Sequence, residues 1–211
     1  MSSDRHVSEL LELLRRRLYN EVDRISRAMV STFKEKIFLL SQEGLWRLIN
    51  GITGGLGYTA EDRDVTRLII YGSYIAWAEA VKPGSRVLEI GTGLGRTCYS
   101  VLSTAPPSLY LTIDSSPEIL AIALYRNPYP PFQEALRNPV VKLCLCDATI
   151  AVRHINDSFD HIIHDGWSKS QQEPHPIFKN PLERLGLSPK SWRDSLGLWE
   201  QEQKVAGQTI S

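Results

Sequence analysis

The residues with the most chemical potential lie in one run, Glu89-Ile90-Gly91-Thr92-Gly93-Leu94-Gly95-Arg96. An acid followed by three alternating glycines suits a backbone that must approach a ligand closely, because glycine accepts the tight turn and leaves open the space a side chain would fill. A helix starting behind Gly95 would turn its free N–H groups and positive end toward the same place, where negative charge is welcome. A nucleotide-like ligand is implied. The spacing is GxGxG, and the sixth position of the dinucleotide fingerprint is Arg96 here, which disfavours nicotinamide and flavin; the Lys-Ser/Thr of a P-loop is also missing.

Three further acids follow in phase. Asp114 closes the run Leu109-Tyr110-Leu111-Thr112-Ile113, Asp147 follows Lys142-Leu143-Cys144-Leu145-Cys146, and Asp165 follows His161-Ile162-Ile163-His164. Open α/β sheets bind ligands beyond the carboxyl ends of their strands, and the acid after the second strand is the one offered to ribose hydroxyls. Any one of these acids alone would pass for a helix cap or a loop residue; four behind four strand-like runs point to a site. His164 and Asp165, with His161, are the candidate bases for an acceptor hydroxyl. A core histidine bonded to backbone is the plain alternative for His164. A metal held by His161, His164 and Asp165 is disfavoured because strand neighbours point to opposite faces, and no Ser/His/Asp arrangement is recognisable.

Apolar spacing outlines the elements that must position these groups. Val7, Leu10, Leu11, Leu14, Leu18, Val22, Ile25 and Met29 predict one amphipathic helix over 7–29. Arg15, Arg16 and Arg17 lie on its charged face as a short basic run, able to touch phosphates but balanced by nearby acids. A second helix is expected over 33–40, and Ser41 is placed to cap a third. Gly51, Gly54, Gly55 and Gly57 mark a break, and a further helix is expected from Asp62 toward Val81. Strand-like runs over 86–90, 109–113, 140–145 and 161–164 then alternate with helices from Arg96 and Pro117. The fold class is therefore α/β, a Rossmann-like parallel sheet covered on both faces, with an N-terminal helical extension.

After Gly166 the pattern changes to scattered Pro, Gly, Ser, Gln and Lys with no convincing buried strand; only 205–210 reads as weakly strand-like, and short helices fit 181–185 and 189–203. The sheet thus reads as incomplete after its fourth strand, and an edge open at the fourth or first strand would invite pairing. The expected organisation is a helical region over 1–58, a ligand-binding Rossmann-like domain over 59–168 and an irregular or short-helical tail over 169–211.

Composition sets the outer bounds. A chain of 211 residues, 42% hydrophobic and 23% charged, has enough apolar material for one sizeable core, which excludes wholesale disorder, collagen and a disulfide-stapled mini-protein. Lys+Arg and Asp+Glu both number 24, so no global basic field draws the chain to DNA or to an anionic membrane, and any nucleic-acid contact needs a local patch. Three cysteines without CxxC spacing read as buried thiols of a reducing compartment. With no secretory pattern at the N-terminus and no long apolar run, the protein reads as cytoplasmic.

From 81 to 168 the chain resembles the class I S-adenosylmethionine-dependent methyltransferases. The resemblance implies that Gly91, Thr92, Gly93 and Gly95 lie beside the methionine part of S-adenosyl-L-methionine, with Glu89 near its ammonium. It implies that Asp114 holds the ribose with Ser115 beside it in the cofactor site, that the acid of the Asp147-Ala148 pair faces the adenine amine, and that Asp165 opens the motif near the transferred methyl. The segments 92–97, 123–128, 138–139 and 159–165 are similar to a group of uncharacterised archaeal predicted methyltransferases. Those continue as HDPPRFS where this chain has Asp165-Gly166-Trp167-Ser168, and Asp-Gly is instead similar to several small-molecule O-methyltransferases. The implied activity is methyl transfer to a small-molecule or RNA acceptor. An aminopropyltransferase of the spermidine synthase type is the alternative enzyme, opposed by the missing Gly-Gly-Gly-Asp type of loop, and a non-catalytic binding or scaffold protein is the alternative outside enzymes. Three accounts fit the tail: a minimal or rearranged domain, a sheet completed by a partner or a second copy, or a frameshifted or truncated gene.

Overall fold

A computed structural model describes residues 2–53 and 81–164. Its centre is built from four short runs rich in Val, Ile and Leu: β1 (Arg86–Ile90), β2 (Leu109–Asp114), β3 (Val141–Leu145) and β4 (His161–His164). They form a parallel sheet in the order β3-β2-β1-β4, with Glu89 opposite Thr112, Ile113 opposite Cys144 and Ile90 opposite His164. The chain winds outward from β1 to β3 and then crosses to the other side of β1. The winding reverses between β1 and β4, and such switch points are where doubly wound sheets open a crevice. The fold is the expected α/β Rossmann-like arrangement, but β1 is central; the first strand is not an edge, and the two outer strands described are β3 and β4.

Eight helices are described: α1 (Ser2–Arg15), α2 (Tyr19–Ser31), α3 (Lys34–Phe38), α4 (Gln42–Thr53), α5 (Arg96–Thr104), α6 (Pro117–Tyr125), α7 (Pro130–Ala135) and α8 (Ala148–Ala151). The local chemistry explains several starts. Ser41 Oγ accepts from the Gly44 N–H at 3.0 Å ahead of α4, as its position predicts. Ser116 caps α6 by accepting from the Ile119 N–H at 3.2 Å, with Pro117 supplying a preset φ at the first helical position. Residues Ile119 through Leu124 of α6 are all buried, so this helix is enclosed and not amphipathic. The single helix expected over 7–29 is instead two. Arg17 adopts a left-handed φ of 59°, the Leu18 N–H donates back to Leu13 O at 3.0 Å and the Arg17 N–H to Leu14 O at 3.1 Å. That pattern is a Schellman turn, and it preserves the apolar stripe across the break, which is why periodicity alone does not see it.

The two sheet faces are covered differently. Over Val87, Tyr110, Leu143 and Ile163 lie side chains of α3 to α7 and Val30 of α2. The opposite face, with Leu88, Leu111, Ile113 and Cys144, depends on Leu10 and Leu14 of α1 and Val22 and Ile25 of α2. The crossover from β3 to β4 contains only the one-turn α8, too little to shield that face, so α1 takes the place of a crossover helix. Met29 packs on both clusters, which puts α2 astride the edge of the sheet. There it also satisfies the edge strand: the Leu143 N–H donates to Asp23 Oδ1 at 2.9 Å and the Leu145 N–H to Ser26 Oγ at 3.0 Å. Side chains thus close an edge that would otherwise present free donors to another strand.

Gly51, expected in a glycine break, instead lies within α4, which runs on to Thr53; the rest of that break, the helix from Asp62 toward Val81, and everything beyond His164, including the incomplete sheet and the short helices of the tail, fall outside the described residues. No described helix is long and apolar enough to cross a membrane. Cys98, Cys144 and Cys146 are free and buried. Burial is the main reason their thiols are hard to ionise; it pushes Cys146 up to about 11, with Asp147 adding to the effect.

Two outcomes follow from this packing. Asp23→Ala leaves the Leu143 N–H without its acceptor and is expected to destabilise the protein by about 1–3 kcal/mol in chemical denaturation. The three thiols should resist iodoacetamide at pH 8 in the native protein and all react once it is denatured.

Candidate functional site

The loop after β1 is held by three backbone bonds of different kinds. The Gly91 N–H donates to Ile113 O at 2.8 Å, carrying the β1–β2 pairing one step past the strand, and the Gly95 N–H donates to Thr92 O at 2.9 Å, closing the turn. The Gly93 N–H donates to Asp114 Oδ2 at 3.0 Å, while Asp114 Oδ1 accepts from the Ser116 N–H at 2.9 Å. One carboxylate therefore fastens the loop after β1 to the turn after β2. Gly91, Gly93 and Gly95 all have positive φ, a region that disfavours any residue with a β-carbon.

Gly95 has a further requirement beyond the tight turn and ligand approach that its spacing suggests. A β-carbon on it would stand 2.8 Å from the Leu136 side chain and 3.2 Å from Phe132 O. Its bareness lets the start of α5 press against the end of α7. Leu94, fully buried beside it, is gripped from outside by Asn127, whose Nδ2 donates to Leu94 O at 2.8 Å. Asn127 belongs to a segment noted for resemblance, but nothing in its spacing marks it as a support of the glycine loop.

Glu89 is 1% exposed and faces β2. Its Oε2 accepts from Thr112 Oγ1 at 2.6 Å, and Thr112 Oγ1 lies 2.6 Å from Thr92 Oγ1. Thr112 is a residue the sequence reading missed. The available signal is a threonine inside an otherwise apolar strand, but its meaning depends on the register that sets it opposite Glu89.

At the neighbouring strand end, Asp147 is exposed and caps α8: its Oδ1 accepts from the Thr149 N–H at 2.7 Å and from Thr149 Oγ1 at 2.6 Å. The Cys146 N–H donates to Asp114 O at 3.0 Å, drawing the end of β3 alongside that of β2. Ser115 is exposed and Ala148 half-buried on these adjacent turns. Glu89, Gly91, Thr92, Gly93, Gly95, Asp114, Ser115, Asp147 and Ala148 thus share the carboxyl-terminal end of the sheet. The geometry sets acids and left-handed glycines along one rim, where acceptor oxygens suit hydroxyls or a cationic group.

The candidate bases fare differently. His164 ends β4 beside Ile90, at this same rim. Asp165 lies outside the described residues. His161 pairs with Val87 at the opposite end of β4, about 10 Å away along the strand, and is not part of the strand-end group. Burial holds its imidazole below the usual range and Lys82 adds to this, against the pull of Asp160.

The basic run at 15–17 also has an assigned place. Arg15 pairs with Glu12 at 2.8 Å and lies 3.0 Å from His154 Nδ1, while Arg17 bonds Asn156 O. Asp157 accepts from Tyr19 at 2.9 Å and from Arg86, and Tyr19 meets Phe159 edge-on at 6.4 Å. Arg86 opens β1, so this cluster sits at the amino-terminal end of the sheet, away from the glycine loop.

No family model matches the chain, and no curated protein matches it. Among solved structures it is similar to coclaurine N-methyltransferase, crystallised with N-methylheliamine and SAH, at 15% identity and a TM-score of 0.33. The likeness covers 75% of this chain and 55% of that one, so the chain spans little more than half of that enzyme's length.

Because Gly95 is constrained by both φ and contact, Gly95→Ala should cost about 2 kcal/mol or more of stability by denaturant titration, even before any ligand is added.

Proposed function

We propose that this chain binds S-adenosyl-L-methionine and transfers its methyl group to a small-molecule or RNA acceptor, with the cofactor held by the unit over 59–168. The observation that carries the reading is the bond from the Gly93 N–H to Asp114. It brings a glycine loop suited to close backbone approach within one hydrogen bond of the acid placed for a ribose. A carboxylate oxygen accepts more than one hydrogen bond, so anchoring the loop and receiving ribose hydroxyls are compatible on one group.

In this reading the bare backbone at Gly91 and Gly93 makes room for the methionine part, and Glu89 offers its negative charge to the ammonium. Asp114 and Ser115 take the ribose, and Asp147 with Ala148 borders the adenine. The sulfonium of the bound cofactor supplies an activated methyl group for in-line displacement, so the protein positions donor and acceptor and needs no covalent nucleophile. His164 and Asp165 are the groups proposed to take a proton from an acceptor hydroxyl. Of the two outer strands among the described residues, β3 is closed by α2, so strands that complete the sheet, from this chain or from a partner, would join at β4.

Calorimetric titration with S-adenosylmethionine and S-adenosylhomocysteine tests the reading. Micromolar binding is expected, weakened about tenfold or more in Asp114→Ala, which loses both the loop anchor and the ribose acceptor. A folded protein that binds neither compound would overturn it, and a clear preference for the decarboxylated cofactor would shift the assignment to aminopropyl transfer.

A further inference from the structure

We infer that Thr112, with Thr92 behind it, aims the Glu89 carboxylate and so lets the site read the amino-acid end of its ligand. The inference rests on the cofactor reading above and adds positioning residues to it.

Thr112 is out of place among the apolar residues of β2. Thr112 is 0% exposed, between Leu111 and Ile113 in the middle of the sheet. A Val or Ile would fill that position with a better-suited apolar surface, and a hydroxyl buried there is unfavourable unless it is used. Thr112 uses it across the strand, on the face it shares with Tyr110 and Val87, where Glu89 is its register partner. A carboxylate only accepts, so the one proton of the Thr112 hydroxyl goes to Glu89 Oε2 at 2.6 Å. The second short contact, also 2.6 Å, must then have Thr92 as donor and Thr112 as acceptor. The three groups form a one-way chain, Thr92 to Thr112 to Glu89. Short bonds to a charged acceptor are the stronger kind, and successive bonds polarise one another.

Where the chain starts gives it a consequence beyond stability. Thr92 stands between Gly91 and Gly93, in the loop itself, so the position of the loop and the direction of the buried acid are set together. Glu89 is thereby fixed as a preorganised negative charge beside the place where the loop admits a ligand. Thr112 need not touch the ligand; it acts through Glu89.

The test compares two probes with the full chain: S-adenosylhomocysteine, which carries the ammonium, and 5′-methylthioadenosine, which keeps the nucleoside and thioether but lacks the amino-acid end. Thr112→Val should raise the Kd for the first about tenfold and leave the second unchanged, and Thr112→Ser should restore it. Equal weakening of both probes would mean a structural role only, and undiminished affinity for S-adenosylhomocysteine would remove the role altogether; either result overturns the inference while the cofactor reading stands. If the unaltered protein binds neither probe, the cofactor reading itself falls and takes the inference with it. Should Thr112→Val fail to fold, Thr112→Ala carries the same comparison, with the same selective loss expected and a non-selective or absent one overturning the inference.

Discussion

The carboxylate of Asp114 holds two chain reversals at once, and most of what surrounds the site depends on that grip. Its bonds to the Gly93 and Ser116 N–H groups tie the turn after β1 to the turn after β2. With Gly93 fixed, Gly95 falls where α5 can start against Leu136, and Leu94 falls where Asn127 can hold its carbonyl. The rim is thus organised by contacts within the protein, so a ligand entering it need not spend much of its binding energy on ordering the loop.

The N-terminal helices complete what the sheet leaves open. A crossover with one helical turn cannot cover Leu88, Leu111 and Ile113, and α1 supplies Leu10 and Leu14 in its stead. Asp23 and Ser26 of α2 then occupy the outward N–H groups of β3.

How much of this the sequence shows depends on the range of the interaction. The four strands, their parallel α/β setting and the acids behind them follow from local patterns, because each strand is a short apolar run with a polar end. The break at Arg17 was hidden: the turn there uses no glycine and keeps the stripe in phase. Thr112 is silent in the sequence because its chemistry exists only once the register with Glu89 is set. Gly95 carried a clear signal with an incomplete reading, since a glycine demanded by a packed neighbour looks the same in sequence as one demanded by a ligand. His161 and His164 look close in sequence, yet a strand of four residues sets them at its opposite ends. The helices α7 and α8 are too short for periodicity, although Pro130 and the cap at Asp147 do mark their starts.

The path of α2 around the sheet has a consequence for how the chain is built. Asp23 and the Leu143 N–H it receives are 120 residues apart. During synthesis the first two helices emerge long before the strand they seal, and their apolar sides must wait for a sheet that does not yet exist. Such distant pairings make for slow, late steps in folding. Until that last closure, both the lone helices and the bare β3 edge are open to wrong partners, so for this edge the risk of aggregation falls on the nascent chain.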